Sequence, residues 1–487
     1  MFLGLDVGTQ STKAIVLDGA RGEIVARGQQ AYDLLPGLPP GHAEQHPDIW
    51  IDAVRTAARA ALAQVDTARV AGVGVSGQQH GCVVLDREDR VVRPAKLWCD
   101  TSTAGEAAAL SARLGRAVPT GFTASKLLWL KTHEPRHWAQ VARVLLPHDY
   151  VNLRLCGRAT MECGDASGTG FFDPAARAFD RAAMAAIDDR LPALLPPLLG
   201  AGEPAGALSA AGALLLGLRQ GTPVAAGGGD NMMAAIGSGA TRSGVVVVSL
   251  GTSGTVFARS DVPVVDPAGL VAPFCSSDGA WLPLLCTMNV TGVTEAVRAA
   301  FGSDHGELAG RAAAVAPGCD GLLWLPFLQG ERVPDLPGAT GTLLGMRTQH
   351  LDAAVLYRAA IEGTSCNLAL GALRLARLGI ALGEVRLCGG ASRNALWRQV
   401  LADMLAVRVV AMAEPEAAAL GAAIQAAWTV RRLRGERVDC DAVAAPCVRA
   451  AGAVTAPSNH APFYRDLLAR FDREVRRQYG DAAGALP

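Results

Sequence analysis

The sequence predicts a mixed α/β protein made of two duplicated lobes around a central cleft. Three observations carry that prediction. The chain has 487 residues, more than one core covers when domains run to roughly 100–200 residues. Short apolar runs alternate with amphipathic helical runs along its length, the pattern of layered α/β folds. The chain also repeats itself: Val246–Val256 (VVVSLGTSGTV) echoes Leu3–Lys13 (LGLDVGTQSTK), with Gly251-Thr252 matching Gly8-Thr9 at an offset of 243. A smaller echo sets Asp230–Gly237 beside Glu416–Gly421, two small-residue helices of the kind that let backbones approach closely. The lobes are therefore expected over residues 1–243 and 244–487.

Composition narrows the class. Half the residues are apolar and 18% are charged, enough for a large core and too apolar for disorder. Lys+Arg and Asp+Glu balance at 45 each, so no basic surplus exists to meet a phosphate backbone, and nucleic acid is not an expected partner. Eleven cysteines without a C-x-x-C pair suit a reducing compartment. The opening MFLGLDVGTQ has no basic n-region. No apolar stretch reaches the roughly 20 residues that span a bilayer. A cytoplasmic protein without a membrane partner is expected.

The elements follow in order. Phe2–Asp6 and Ala14–Leu17 read as strands joined by DVGTQSTK, Asp52–Ala63 as a helix, and Val70–Val75 as a strand leading to another at Cys82–Leu85. Lys126–Lys131 and Ala139–Val144 are short elements, followed by Asp149–Leu155. The Pro- and Gly-rich stretch 192–206 reads as a surface loop, and Tyr464–Tyr479 as a terminal helix.

Two motifs mimic familiar chemistry. Gly72-x-Gly74-x-x-Gly77 has the glycine spacing of a dinucleotide-binding turn, yet a strand follows it where a helix N-terminus must receive the pyrophosphate. Its glycines are expected instead to let the strand approach a ligand and present Gln79 and His80. His133-Glu-Pro-Arg-His137 has zincin spacing, but Pro135 breaks the helix that would align the two histidines. The predicted arrangement is a helix ending near Thr132, then a loop. His42-x-x-x-His46, between Gly41 and Pro47, is likewise expected in a loop.

Other stretches fit phosphate chemistry. Asp6–Lys13 and Ser249–Thr255 each place Gly and Thr in a tight turn, where backbone N–H groups and hydroxyls cradle phosphate. There is no Walker A loop. Asp6 offers a carboxylate to a hydrated Mg²⁺. Lys13 either reaches phosphate or points to solvent. In Leu387–Asn394 (LCGGASRN), Gly389-Gly390 either carries a flat base or simply connects strand to helix. Asp230, after Gly227-Gly228-Gly229, either caps a helix or meets a ligand that the glycines admit.

Together, Asp6-x-Gly8-Thr9, Gly251-Thr252, Gly227–Asn231 and Cys388–Asn394, in this order, resemble the FGGY carbohydrate kinases. The resemblance covers about residues 2–430 and implies two ribonuclease H-like lobes of the actin-like ATPase fold. Within that family SGQQHG (76–81), KLWCDTST (96–103), LLPHDYVNLRLCG (145–157), GDASGTGFFD (164–173) and LQGERVPDLPGATGTLLG (328–345) are similar to blocks of ketopentose-phosphorylating members. The resemblance implies ATP and Mg²⁺ as cofactors, transfer of a phosphoryl group to a ketopentose, and O5 of D-xylulose as the acceptor. Asp230 becomes the general base, with no need of a strongly perturbed pKa. Asn231, Gln79, His80 and Gly81 would bind the sugar, with Trp98 and Asp100 beside them. The nucleotide falls to Gly8, Thr9, Ser11, Thr12 and Lys13 in one lobe and to Gly251, Thr252, Ser253, Gly389, Gly390 and Asn394 in the other. Asp6 would hold the metal. The chain departs from the ketopentose pattern at Gln79, Cys99 and Thr101-Ser102. Kinases of L-ribulose, other ketoses, polyols or glycerol are the alternatives, and outside enzymes an actin-like nucleotide-binding or sugar-sensing protein. A homodimer is entertained as the assembly.

Overall fold

Strand β1 (Phe2–Val7) turns through Gly8–Gln10 into β2 (Ser11–Asp18), which pairs antiparallel both with β1 and with β3 (Glu23–Ala31). In this computed structural model, which describes residues 1–480, Leu3, Leu5, Val7, Ala14 and Val16 of that hairpin are buried in one core. The end of the second expected lobe, residues 481–487, lies outside the described residues. Helix α1 (Pro47–Leu62) starts five residues before the sequence reading placed it. Pro47 supplies a preset φ in its first turn, and His46 accepts from the Asp48 N–H at 3.3 Å as the cap. Its apolar stripe, Trp50, Val54, Ala57 and Ala61, joins the same core.

β4 (Gly72–Gly77) runs parallel to β1, with Gly74 opposite Gly4. Adding β5 (Pro204–Ala207) and β6 (Pro223–Ala225) gives the order β5-β6-β4-β1-β2-β3. The stretch expected as one loop over 192–206 is thus partly structured: Leu198-Leu199 pairs with Met161-Glu162, and β5 pairs with β6. Pro204 is tolerated because β5 lies at the sheet edge.

The second hairpin repeats the first. β7 (Val245–Leu250) pairs antiparallel with β8 (Gly254–Ala258) and parallel with β10 (Glu384–Cys388). With β9 (Trp281–Thr287) and β11 (Arg408–Ala411), the inner order of this six-stranded sheet is β9-β8-β7-β10-β11. That matches β3-β2-β1-β4-β6 strand for strand. β1 and β7 begin at Phe2 and Val245, the same offset as the sequence echo.

The chain divides into two compact units, and the contiguous halves expected at residue 243 need correction. The first unit is Met1–Thr241 together with Phe274–Leu282 and Glu416–Val448; the second takes Arg242–Pro273, Pro283–Pro415 and the chain from Arg449. Helix α6 (Ala417–Leu433) explains the return to the first unit. A Cβ on Gly74 would lie 2.0 Å from the Ala422 carbonyl oxygen, and one on Gly72 would lie 2.9 Å from Val430. The dinucleotide-like glycines therefore seat a helix rather than admit a ligand. A Cβ on Gly77 would lie 2.8 Å from His148 N. Helix α3 (Asp230–Gly237) then packs on α6 through the two echoed small-residue segments. A Cβ on Gly421 would come within 1.8 Å of Met233 O, and one on Gly237 within 1.9 Å of Ala417 O.

Between α1 and α6 come helix α2 (Pro147–Cys156) and a satellite core around Val84, Leu127, Trp138 and Leu191. The zincin-like segment lies here on two helices, Thr123–His133 and Pro135–Gln140, so the loop expected after Thr132 is a second helix begun by Pro135. His133 faces Glu106 at 2.8 Å, and His137 faces Glu134 at 2.7 Å. Among the described residues no helix is long and apolar enough to cross a membrane.

Gly421→Ala is expected to destabilise the protein by about 1–3 kcal/mol or more in urea unfolding, because a methyl group has no room against a backbone carbonyl. Gly310→Ala, in a helix and facing open space, should instead gain about 0.5–1 kcal/mol.

Candidate active site

Asp230 occupies the first turn of α3, and its N-cap is Gly229. It therefore does not cap the helix, the first role the sequence allowed. Its Oδ1 accepts from Asn231 N at 2.8 Å and from Asn231 Nδ2 at 3.0 Å. The same Nδ2 donates to Gln79 Oε1 at 2.8 Å. Three residues expected at the site are thus tied into one polar group. Burial pushes the Asp230 carboxyl up to about 7, with the charges of Asp6 and Asp165 adding to the effect. The sequence reading required no such shift; the structure has one. Asp6, near the end of β1, accepts from Ser76 Oγ of β4 at 2.8 Å, and burial raises its pKa as well.

The glycines before Asp230 have a different purpose from the one the sequence suggested. A Cβ on Gly227 would lie 2.9 Å from His148 Cδ2 and 3.1 Å from Asn152 Nδ2. One on Gly228 would lie 2.5 Å from Ser277 Oγ, and one on Gly229 would lie 2.7 Å from Gln79 Cγ and 3.0 Å from Asp165 Oδ1. Each glycine makes room for a polar side chain of the protein itself.

Those side chains were missed as site residues, though His148 and Asp165 lie in blocks that carry the family resemblance. The available signal was a cluster of polar types, His148, Asp149 and Asn152, on a helix whose residues are nearly all buried. His148 Nδ1 lies 2.7 Å from Asp165 Oδ2, and Nε2 lies 3.0 Å from Asp149 Oδ1. Burial lowers the imidazole pKa, but the two carboxylates outweigh it and raise it well above the usual histidine range. Glu162 accepts from the backbone N–H groups of Gly164 and Asp165 and from Ser277 Oγ; burial takes its pKa to about 7.

His80 adopts a left-handed φ of 65°, uncommon outside glycine. Its ring lies 4.7 Å from Phe122 and 6.0 Å from Phe274, between centroids, and its carbonyl accepts from Thr123 Oγ1. The next residue is held close: a Cβ on Gly81 would be 2.6 Å from Pro147 Cγ.

Several expected contacts are engaged elsewhere. Thr9 Oγ1 donates to Gln78 Oε1 at 3.1 Å and accepts from Trp98 Nε1 at 3.0 Å. Thr12 is fully buried, and its hydroxyl pairs with Tyr32. Tyr32 donates to Gly8 O at 2.6 Å, and Gln45 donates to Thr9 O at 2.7 Å. What the first hairpin presents to an anion is therefore backbone together with half-buried Ser11, while Trp98 braces the turn. Lys13 takes neither expected course, since it pairs with Glu416. Asp100 is fully buried and accepts from Ala43 N, Ser102 N, Ser102 Oγ and Lys96. Burial works against its ionisation, but the Ser102 and Ala43 hydrogen bonds prevail and hold its pKa below the usual carboxylate range. It organises its own loop rather than facing a sugar. His42, Glu44 and Asp100 have metal-ligand spacing, but Lys96 Nζ sits among them, 3.3 Å, 3.0 Å and 3.2 Å away, over the Trp129 ring.

In the second unit the turn Gly251-Thr252-Ser253 holds both hydroxyl-bearing residues exposed. Gly389 has φ 86°, and a Cβ there would lie 2.6 Å from Leu250 O, whereas Gly390 faces open space. With Ser392, Arg393 and Met412–Pro415 these glycines line a cavity of about 260 Å³. Asn394, which follows the long helix α4 (Ala353–Arg377) and β10, caps helix α5 (Ala395–Leu405) by accepting from Trp397 N at 3.2 Å, so its side-chain oxygen is already engaged.

An acid cluster in one unit and an open double-glycine shelf in the other can be compared with known proteins. The FGGY family of carbohydrate kinases, N-terminal domain, matches residues 1–237, and its C-terminal domain matches residues 246–430. The chain belongs to the FGGY family of carbohydrate kinases. It is 40% identical to a xylulose kinase of Haemophilus influenzae over 88% of this chain and 90% of that one. It is 42% identical to a xylulose kinase of Streptomyces coelicolor over 100% and 97%. Its fold superposes with a TM-score of 0.80 on the crystal structure of xylulose kinase from Bifidobacterium adolescentis, 32% identical over 96% of this chain and 99% of that one. These FGGY neighbours give the chain the actin-like ATPase fold. It is a phosphotransferase that takes ATP and a sugar.

The raised carboxyl pKa has a consequence for stability. In the unfolded chain Asp230 ionises near the ordinary value of about 4, and in the folded protein near 7. Its contribution is therefore full below the unfolded pKa and is lost as pH rises towards 7. Asp230→Asn should be more stable than the parent at pH 8 in urea unfolding without Mg²⁺, and the gap should close by pH 4.

Proposed function

We propose that the protein transfers the γ-phosphoryl group of ATP to O5 of D-xylulose, with Mg²⁺ as the metal. The observation that carries this reading is Asp230, a carboxyl group joined through Asn231 to Gln79 and shifted to about 7. A base with a pKa near the working pH combines a populated ionised form with useful affinity for the leaving proton. The names of the relatives described above support D-xylulose as the acceptor.

In this reading Asp230 receives the proton of the sugar hydroxyl as that oxygen bonds to phosphorus. Gln79 and Asn231 orient the acceptor, and His80 closes one side of it with its ring fixed by Phe122 and Phe274. Backbone N–H groups of Thr9–Ser11 and the exposed turn Gly251–Ser253 hold phosphate oxygens, while the Gly8 N–H closes the first hairpin by donating to Ser11 O at 3.0 Å. Gly389 and Gly390 carry the base. Phosphoryl transfer needs in-line placement and charge stabilisation more than covalent help, so positioned amides and hydroxyls account for most of the protein's part. Asp6 suits a hydrated cation: it lies near a second carboxyl, Asp230, and both are pushed towards protonation, first by burial. When bound there, Mg²⁺ neutralises charge on the transferring group.

Two measurements test the reading. ADP release over pentuloses, hexuloses, pentitols and glycerol should favour D-xylulose; activity confined to L-ribulose, a polyol or glycerol would replace the substrate and keep the kinase. Asp230→Asn should bind both substrates and lose at least ~10²-fold in turnover, whereas near-normal turnover removes Asp230 as the base. For the nucleotide, Gly390→Leu should raise the KM for ATP about tenfold or more without lowering the melting temperature, since a Cβ there meets nothing within 4 Å and the side chain would enter the shelf.

A further inference from the structure

The mechanism above leaves unused a buried charge cluster beneath the turn that carries its base. His148, Asp149 and Asp165 are each fully buried. The imidazole has one nitrogen 2.7 Å from Asp165 and the other 3.0 Å from Asp149. Taking three charged groups out of water is costly, and such clusters are seldom the cheapest way to stabilise a core. The location of this one indicates its use.

His148 stands between the two segments that carry the proposed site. On one side its backbone meets Gly77, where a Cβ would lie 2.8 Å from His148 N, two residues before Gln79. On the other side its ring meets Gly227, where a Cβ would lie 2.9 Å from Cδ2, three residues before Asp230. Asn152, one turn along the same helix, donates to Ala226 O at 2.7 Å and fixes the start of that segment. Asp165 completes the floor. While holding the imidazole with Oδ2, it has Oδ1 3.0 Å from a Cβ position on Gly229, and the Gln79 amide faces its carboxyl. Glu162 holds Asp165 in turn, accepting from its backbone N–H. The turn therefore has no slack in which Asp230 could drift from Gln79.

We propose that His148 and Asp165 are positioning residues of phosphoryl transfer, a buried ion pair that sets the Gly227–Gly229 turn and with it the placement of Asp230 relative to Gln79. This rests on the reading of Asp230 as the base. Neither residue touches substrate in this account; both act through the glycine turn, which has no side chains of its own to hold it.

Asp165→Asn is the decisive variant, because an amide oxygen still accepts from the imidazole while the charge is gone. Its turnover should fall roughly 10²-fold, the cost of misplacing a reacting group by about 1 Å, while the KM for ATP stays within about twofold. His148→Gln should behave alike; it leaves Asp149 and Asp165 buried without their cation, so if it does not fold, Asp165→Asn decides alone. Melting temperature and binding of a non-hydrolysable ATP analogue fix the folded fraction. Parental turnover per folded molecule in Asp165→Asn, whatever its melting temperature, overturns the proposal. A KM for ATP that rises in step with the loss of turnover also overturns it, since disruption is then general. Near-normal turnover in Asp230→Asn would instead remove the base reading, so the two failures are distinct.

Discussion

Crowding of buried carboxyl groups around a turn without side chains is the constraint on which the first unit depends. Asp6, Glu162, Asp165 and Asp230 are all pushed towards protonation by burial. One histidine cation, backbone amides and two serine hydroxyls, of Ser76 and Ser277, offset part of that cost. Leaving the remainder uncompensated raises the Asp230 carboxyl to about 7, the value on which its proposed role as base rests, at the expense of stability as pH rises. The glycine turn is the geometric counterpart of this electrostatic arrangement. Any side chain at Gly227, Gly228 or Gly229 would displace one of the polar groups that position it.

The duplicated sheets show one topology adapted to two tasks. In the first hairpin Thr9 and Thr12 are drawn into a network with Trp98, Gln78 and Tyr32, which ties the turn down through its side chains. In the second, Thr252 and Ser253 remain exposed. The first sheet also carries α6, a helix that arrives from the far end of the chain because Gly72 and Gly74 clear its path. The family's C-terminal match runs to residue 430 although the whole of α6 belongs to the first compact unit.

Periodicity and repetition made the fold legible: the echo of Leu3–Lys13 in Val246–Val256 is reproduced as the same strand pairing at the same offset. The order of the glycine and threonine motifs pointed to the family. What sequence could not supply was direction. Nothing local distinguishes a threonine that faces phosphate from Thr12, which faces Tyr32, or an aspartate in a pocket from Asp100, which binds Lys96 and Ser102. Glycine was the most misleading residue type. Gly74 and Gly227–Gly229 read as openings for a ligand, and each proves to be a place where the protein packs on itself. His148 and Asp165 were missed for the related reason that a partnership across 17 residues has no periodic signature. Asp230's shifted pKa depends on Asp6, more than 200 residues away in the chain, and on burial that appears only after folding.

The most direct test of this account is a pH titration of the Asp230 carboxyl itself in the protein without Mg²⁺, read as the carboxylate infrared signal that the parent has and Asp230→Asn lacks. A midpoint near pH 7 is the predicted result, because burial and the neighbouring Asp6 and Asp165 charges hold the group near that value. A midpoint near pH 4, the ordinary carboxylate value, would contradict the claim that a crowded carboxyl group at Asp230 is poised to take the proton.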